Sequence, residues 1–179
     1  MIVPVSDEAD EVLLLDLLNT TPVVDGSVVD QLADVEAGVA WLAARGRPAS
    51  DGEWRSLLEA RSALQGIVRG TAGTAPLARF LAGVSYRPAP AGDGLAWHLD
   101  LPEGRSVAAR AVLAWGMVRA SRPGRLRPCA NPACERFLLD RSKTNSARWC
   151  SMAVCGNRMK ARRHHERGRR SPSAEGATE

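Results

Sequence analysis

The sequence predicts a mostly α (α+β) protein, with a helical N-terminal domain that carries a small β-hairpin, followed by a small four-cysteine module ending in a basic helix. Three observations lead there. Apolar residues recur at helical spacing through most of residues 1–118, one stretch alternates apolar and polar residues, and all four cysteines fall in a strongly basic block near the end. The 179 residues suffice for one medium domain and a small module. With 45% apolar and 25% charged residues, most of the chain can build a core.

Val12, Leu13, Leu14, Leu15, Leu17 and Leu18 form a short apolar run, interrupted by Asp16 and closed by Asn19-Thr20-Thr21-Pro22. As a helix, it places Asp16, Asn19 and Thr20 on one face. Val28, Leu32, Val35, Val39 and Leu42 recur in steps of four and three, which predicts an amphipathic helix ending near Arg45-Gly46. Ser50-Asp51-Gly52-Glu53 reads as a capping box. It opens a third helix with Trp54, Leu57, Leu58, Leu64, Ile67 and Val68 inward, until Gly70 to Gly73 break the chain. Pro76 to Val84 supply a further helical turn or two.

Leu95, Trp97, Leu99 and Leu101 alternate with Ala96, His98 and Asp100, the pattern of a half-buried strand. The turn Ala91-Gly92-Asp93-Gly94 lets it pair with Val84–Arg87 as a hairpin. Val107, Ala108, Ala111, Val112, Trp115 and Val118 then mark a last amphipathic helix. Arg122-Pro123-Gly124 sets the boundary. The expected organisation is a helical domain over 1–121, the cysteine module over 125–170 and a disordered polar tail over 171–179.

The first part shows no G-x-G-x-x-G, Walker loop or G-x-S-x-G, and its only histidine, His98, lies on the polar face of the expected strand. No enzymatic activity is expected. Asp16 and Arg61 interrupt apolar stripes, and a charge on a buried face needs a partner, so the two are expected to pair with each other. The other reading has them, with Asn19, lining a pocket for a small ligand. No apolar run approaches the roughly 18 residues of a membrane span, and the start, Met1 to Asp10, carries three acids and no basic residue. A soluble, cytoplasmic protein with no membrane partner is expected.

Charge is divided along the chain. Residues 1–118 carry −6, residues 119–170 carry +12, and the last nine carry −2. The basic block invites a polyanion. Within it lie Cys129, Cys134, Cys150 and Cys155, spaced C-x4-C, fifteen residues, C-x4-C. Two equal pairs suit a tetrahedral metal, each short loop bringing two thiolates to one side of the ion, and a chain without an evident leader argues against disulfides. A four-cysteine zinc site is expected, structural because four protein ligands leave no open position. Residues 129–170 hold only seven large apolar side chains, Phe137, Leu138, Leu139, Trp149, Met152, Val154 and Met159. A module that small needs the metal as its staple. Beyond Cys155, Arg158, Arg162, His165 and Arg169 fall on one face of a projecting basic helix.

The run Arg148-Trp149-Cys150-Ser151-Met152-Ala153-Val154-Cys155-Gly156-Asn157-Arg158-Met159-Lys160 resembles the CGNR zinc finger, as does Phe137-Leu138-Leu139-Asp140-Arg141-Ser142 after the first cysteine pair. Leu15-Asp16-Leu17-Leu18-Asn19-Thr20 is similar to the N-terminal signature of the ABATE domain, described as a stress-induced transcription regulator. The resemblance implies a bacterial regulator whose helical domain precedes a DNA-binding zinc finger, with zinc on the four cysteines. Two departures stand out: Ala147-Arg148 replaces the usual Arg-Arg, and Asp16-Leu17-Leu18 replaces Asp-Phe-Val. The expected nucleic-acid contacts are Arg141, Lys143, Arg148, Arg158, Lys160, Arg162, Arg163 and Arg169. The helical domain would sense a small-molecule or protein effector, or dimerise; the residues themselves show no oligomeric state. The rival reading is a zinc-stabilised adaptor docking an acidic protein, or an RNA binder, although only Phe137 and Trp149 could stack on bases.

Overall fold

Helix α1 (Glu8–Leu18) turns Leu13, Leu14, Leu17 and Leu18 inward, and Thr20 closes it by donating its hydroxyl to the Leu17 carbonyl at 2.8 Å. The computed structural model describes residues 8–170, with side chains as far as Arg167; the expected disordered tail, 171–179, and the Arg169 side chain lie outside the described residues.

The second helix differs from expectation. Val23–Val24 (β1) and Ser27–Val28 (β2) pair antiparallel around Asp25-Gly26, both at positive φ (50° and 83°), so α2 spans only Val35–Ala43. Asp-Gly is a strong two-residue hairpin signal and outweighs the helical spacing of Val28 and Leu32. Leu32 is still buried, but from a loop. Asp34 then caps α2 by accepting the Ala37 N–H at 2.8 Å.

Ser50 caps α3 (Asp51–Arg69), accepting the Glu53 N–H at 3.2 Å, and Gly70, at φ 76°, ends it. The Glu53 carboxylate leaves the expected box and caps another helix. It accepts the Ser106 N–H at 2.9 Å, the Ser106 hydroxyl at 2.7 Å and the Val107 N–H at 3.0 Å, all in the first turn of α5 (Ser106–Ser121). Helix α5 packs against both α1 and α3, its buried Ala108, Ala111 and Ala114 allowing close approach. Gly38 on α2 lies against the Trp54 indole, where a Cβ would fall 1.9 Å from Cδ1.

After a 3-10 turn at Ala75–Leu77 come α4 (Ala78–Leu81) and the hairpin β3 (Ser85–Ala91) and β4 (Gly94–Asp100), paired from Ala91↔Gly94 to Ser85↔Asp100. The strand was expected half-buried; instead Leu95 is 63% and Trp97 54% exposed.

Strands β5 (Leu126–Pro128) and β6 (Phe137–Leu139) carry the first cysteine pair on their connection. A π-helical turn, Met152–Gly156, leads into α6 (Asn157–Arg170). The module's apolar residues divide between the helical core and the module itself, where Leu138 is buried and Trp149 half-buried. Phe137, 1% exposed, belongs to the helical core with Leu14, Leu17, Leu57 and Leu64, Leu139 packs against that core, and Met152 and Val154 are more than half exposed. No helix among the described residues is long and apolar enough to cross a membrane.

Glu53→Ala should lower unfolding free energy by about 2–4 kcal/mol, because three donors at the buried start of α5 lose their acceptor. Urea titration checks it; a loss below about 1 kcal/mol would show that water replaces the cap.

Candidate metal centre and basic helix

Each cysteine pair is set by short-range bonds. The Cys129 N–H donates to the Arg136 carbonyl at 2.8 Å, continuing the β5–β6 ladder. Asn131 is buried and turns the chain: its carbonyl accepts the Cys134 N–H at 2.9 Å and its Oδ1 the Ala133 N–H at 3.2 Å. In the second pair, Ser151 caps the π-helical turn through the Val154 N–H at 3.4 Å, and the Gly156 N–H reaches the Ser151 carbonyl at 3.0 Å. A Cβ on Gly156 would lie 2.8 Å from Met152 Sδ and 3.3 Å from Trp149 Cδ1, so a larger residue there would displace the exposed Met152 side chain and crowd the indole. The Ala130 N–H bonds the Arg148 carbonyl at 2.8 Å and joins the two pairs.

All four sulfurs lie within 4.8 Å of one another, with Cys134–Cys150 and Cys150–Cys155 each at 3.7 Å. Zn–S bonds of about 2.3 Å in a tetrahedron require sulfur edges of about 3.8 Å, and a disulfide would require about 2.05 Å. The cluster thus has the size of a metal-thiolate site. Two donors face the sulfurs: the Cys150 N–H lies 3.4 Å from Cys129 Sγ and Asn131 Nδ2 lies 3.5 Å from Cys155 Sγ.

Without a cation the four thiols cannot ionise together. Burial and the neighbouring thiols push Cys150 far up, and burial raises Cys134. Burial also opposes the Cys155 thiolate, yet Asn131 and the other three thiols donate to it, and its pKa falls below the free value. A divalent cation removes this conflict, so the donor set fits zinc.

Sequence reasoning missed the knot behind the cluster. Asp140 is 1% exposed and accepts the N–H groups of Ser142 and Ala147, each at 2.8 Å, and Arg127 Nη2 at 2.6 Å. The Ser142 hydroxyl, these backbone donors and the Arg127 charge, working against burial, bring Asp140 down to about 2. Arg127 also donates to the Ala147 carbonyl at 2.6 Å and to Asn145 Oδ1 at 2.9 Å, tying the loop that leads to Cys150. An aspartate directly after Phe137-Leu138-Leu139 was the available signal.

The expected Asp16–Arg61 pair does not form. Asp16 is on the outer side of α1, its side chain 42% exposed, and binds Arg45 at 3.1 Å. Arg61, on α3, faces the loop before α2 and holds Asp30 through two bonds of 2.6 and 2.7 Å, with a third to Thr20 Oγ1 at 2.9 Å. The Arg61 bonds hold the Asp30 carboxyl below its usual range against partial burial. Asn19 acts differently from both readings: its Oδ1 accepts the Phe137 N–H at 2.7 Å and its Nδ2 donates to the Phe137 carbonyl at 3.2 Å. Asp16 and Asn19 do line one cleft, with Arg45, Arg136, Leu139 and Cys150, and Arg61 is outside it.

The expected nucleic-acid residues divide. Arg141 is engaged by α1, at 3.1 Å from Glu8 and 3.6 Å from Glu11. Arg148 lies over the Trp149 ring at 5.4 Å, and Lys143 is exposed on the loop. On α6, Arg158, Lys160, Arg162 and Arg163 are exposed, Arg162 pairing with Glu166 at 2.9 Å one turn on. Arg169 is in the same helix, with its side chain outside the described residues.

Two family models match the chain. One, described as the CGNR zinc finger, covers residues 125–168; the other, ABATE, described as "Putative stress-induced transcription regulator", covers residues 11–135. No curated protein matches.

Chelation should abolish the near-UV dichroism of Trp149, read with the other tryptophans substituted, and speed amide exchange over 129–157, while α3 stays protected. Unchanged exchange at 129–157 would mean that the bonds around Asp140 and Asn131 suffice without metal. Asp30→Asn should cost about 1–2 kcal/mol at pH 7, less than a fully buried pair because Asp30 keeps part of its exposure. The wild-type advantage is present above the unfolded carboxyl pKa of about 4 and is lost as pH falls through the lower folded value, so the two proteins should converge on acidification. Urea titrations at steps from pH 7 to pH 3 check this; a gap that does not begin to narrow below pH 4 would assign it to packing.

Proposed function

Because the chain belongs to the ABATE family and carries a CGNR zinc finger, we propose that it is a zinc-dependent, DNA-binding regulator of bacterial transcription, cytoplasmic and without enzymatic activity. Cys129, Cys134, Cys150 and Cys155 would hold the zinc, which supplies rigidity to the turn before α6.

The observation that carries the reading is the position of α6. It leaves the cluster directly after Cys155-Gly156 and presents Arg158, Lys160, Arg162 and Arg163 to solvent. After Met159, which is half-buried, it has no large apolar side chain to pack. Exposed arginines along a helix can reach the phosphates that flank a duplex groove, and the +12 charge of residues 119–170 favours a polyanion. Lys143 and Arg148 are further exposed cations of the module. Arg141 serves in holding α1, since its guanidinium is already paired there.

Arg158→Ala with Arg162→Ala should weaken duplex binding at least about tenfold at near-physiological salt and reduce the salt slope by about 2. Zinc content should not change. Binding measured against salt concentration checks both; full affinity in this variant would place the contact surface elsewhere. Failure of the zinc-loaded wild type to bind any duplex from a random library would favour the adaptor reading instead.

A further inference from the structure

The β3–β4 hairpin has two unequal edges and two unequal faces. Gly92-Asp93 close it as a two-residue turn, so Ala91↔Gly94 is a hydrogen-bonded pair and the pattern alternates from there. Residues 86, 88 and 90 of β3 and 95, 97 and 99 of β4 consequently turn their backbone groups outward. On β3, two of these three are Pro88 and Pro90, which have no N–H to offer. On β4, Leu95, Trp97 and Leu99 leave a complete row of donors and acceptors.

The same six residues share one face of the hairpin: Tyr86, Pro88, Pro90, Leu95, Trp97 and Leu99, entirely apolar apart from the tyrosine hydroxyl. The opposite face carries Arg87, His98 and Asp100, with Arg87 and Asp100 paired at 2.9 Å. The apolar face is uncovered: Tyr86, Pro88, Pro90, Leu95 and Trp97 are exposed and Leu99 is half-buried. At the base of the hairpin it continues, through Tyr86, into an apolar groove between α4 and α5 lined by Leu77, Leu81, Val112, Leu113 and Met117.

We propose that β4 pairs antiparallel with β4 of a second copy of this chain, about a twofold axis at Trp97. Leu95 then opposes Leu99 of the partner subunit, and the sheet runs β3-β4-β4-β3. The occupant is a second copy because each chain has one open edge and one edge closed by proline. Two copies use both open edges, and both outer strands of the resulting sheet are guarded, so the assembly closes at two. Antiparallel pairing also keeps both apolar faces on one side and sets the tip of each hairpin, at Leu95, beside the base of the other, while Trp97 meets its own copy at the axis. Across the new edge the outward donors and acceptors of Leu95, Trp97 and Leu99 are satisfied, and these three side chains gain cross-strand neighbours on the shared apolar face. A seven-residue, two-stranded ribbon is otherwise marginal in water.

Sedimentation equilibrium of the full zinc-loaded chain at micromolar to 100 µM concentrations tests this. The expected mass is twice the 19.2 kDa chain. Leu95→Pro, which stays apolar but removes one outward N–H, and Trp97→Glu, which charges the face, should each shift the mass to 19.2 kDa with zinc content and helical dichroism unchanged. A monomeric wild type overturns the proposal. So does a dimer that survives both substitutions, which would place the interface elsewhere. DNA binding enters neither readout, so the proposal stands or falls independently of the function proposed above.

Discussion

The arrangement of the molecule depends on the attachment of β6 to the helical body. One edge of β6 pairs with β5, and Asn19 serves the other: its amide bonds both the N–H and the carbonyl of Phe137, as a neighbouring strand would. The Phe137 ring, fixed by these bonds, fills the core among α1 and α3, and Arg69 lies over it at 4.6 Å while binding Glu135 at 2.6 Å. Cys134 is three residues before Phe137, so the first cysteine pair lies close to the point where β6 is tied to the helices. The second pair follows through Asp140 and Arg127. The metal would therefore join the two pairs at a frame that β6 ties to the core, and α6 leaves that frame directly after Cys155-Gly156.

This attachment changes the meaning of the basic block. Arg122 and Arg141 pair with acids of α1, and Arg125 and Arg127 bond backbone carbonyls around Asp140. Those arginines hold the architecture. Four thiolates with a divalent cation add a charge of about −2. The cations left for an external polyanion are a subset, concentrated on Lys143, Arg148 and α6. The acidic balance of residues 1–118 has a complementary role: Glu8 and Glu11 on α1 both pair with Arg141 of the module, Glu11 from a largely buried position and Glu8 from the surface.

The helices and the cysteine cluster were legible because each rests on local spacing. Leu13, Leu14, Leu17 and Leu18, the Ser50 cap and the paired C-x4-C loops need only their own segments to be read. The misreadings share a different cause: the decisive partner was distant in sequence. Glu53 looks like the return half of a capping box until Ser106 comes within reach. Asp16 and Arg61 both look buried and complementary, and only the loop that brings Asp30 to α3 separates them. Phe137 and Leu139 look like the core of a small module until Asn19 draws β6 into the larger one. At β1–β2 the misreading was local, since Asp25-Gly26 carried a turn signal stronger than the helical spacing around it.

Phosphate contacts from α6 would position a duplex without reading its sequence, because arginine and lysine recognise the backbone of any sequence alike. One short helix per chain also limits how many base edges can be reached. A closed twofold pair through β4 supplies what a single finger lacks. Asn19 and Phe137 fix β6, beside the first cysteine pair, to the helical body, and the hairpin would fix one body to the other. The distance between two basic helices would then be a property of the folded assembly. Selection among sequences would come in part from the spacing of two half-sites, which rigid pairing sets even where each helix makes few base contacts. The proline-guarded edge of β3 and the amide of Asn19 would then act on one quantity, the placement of α6 relative to its copy.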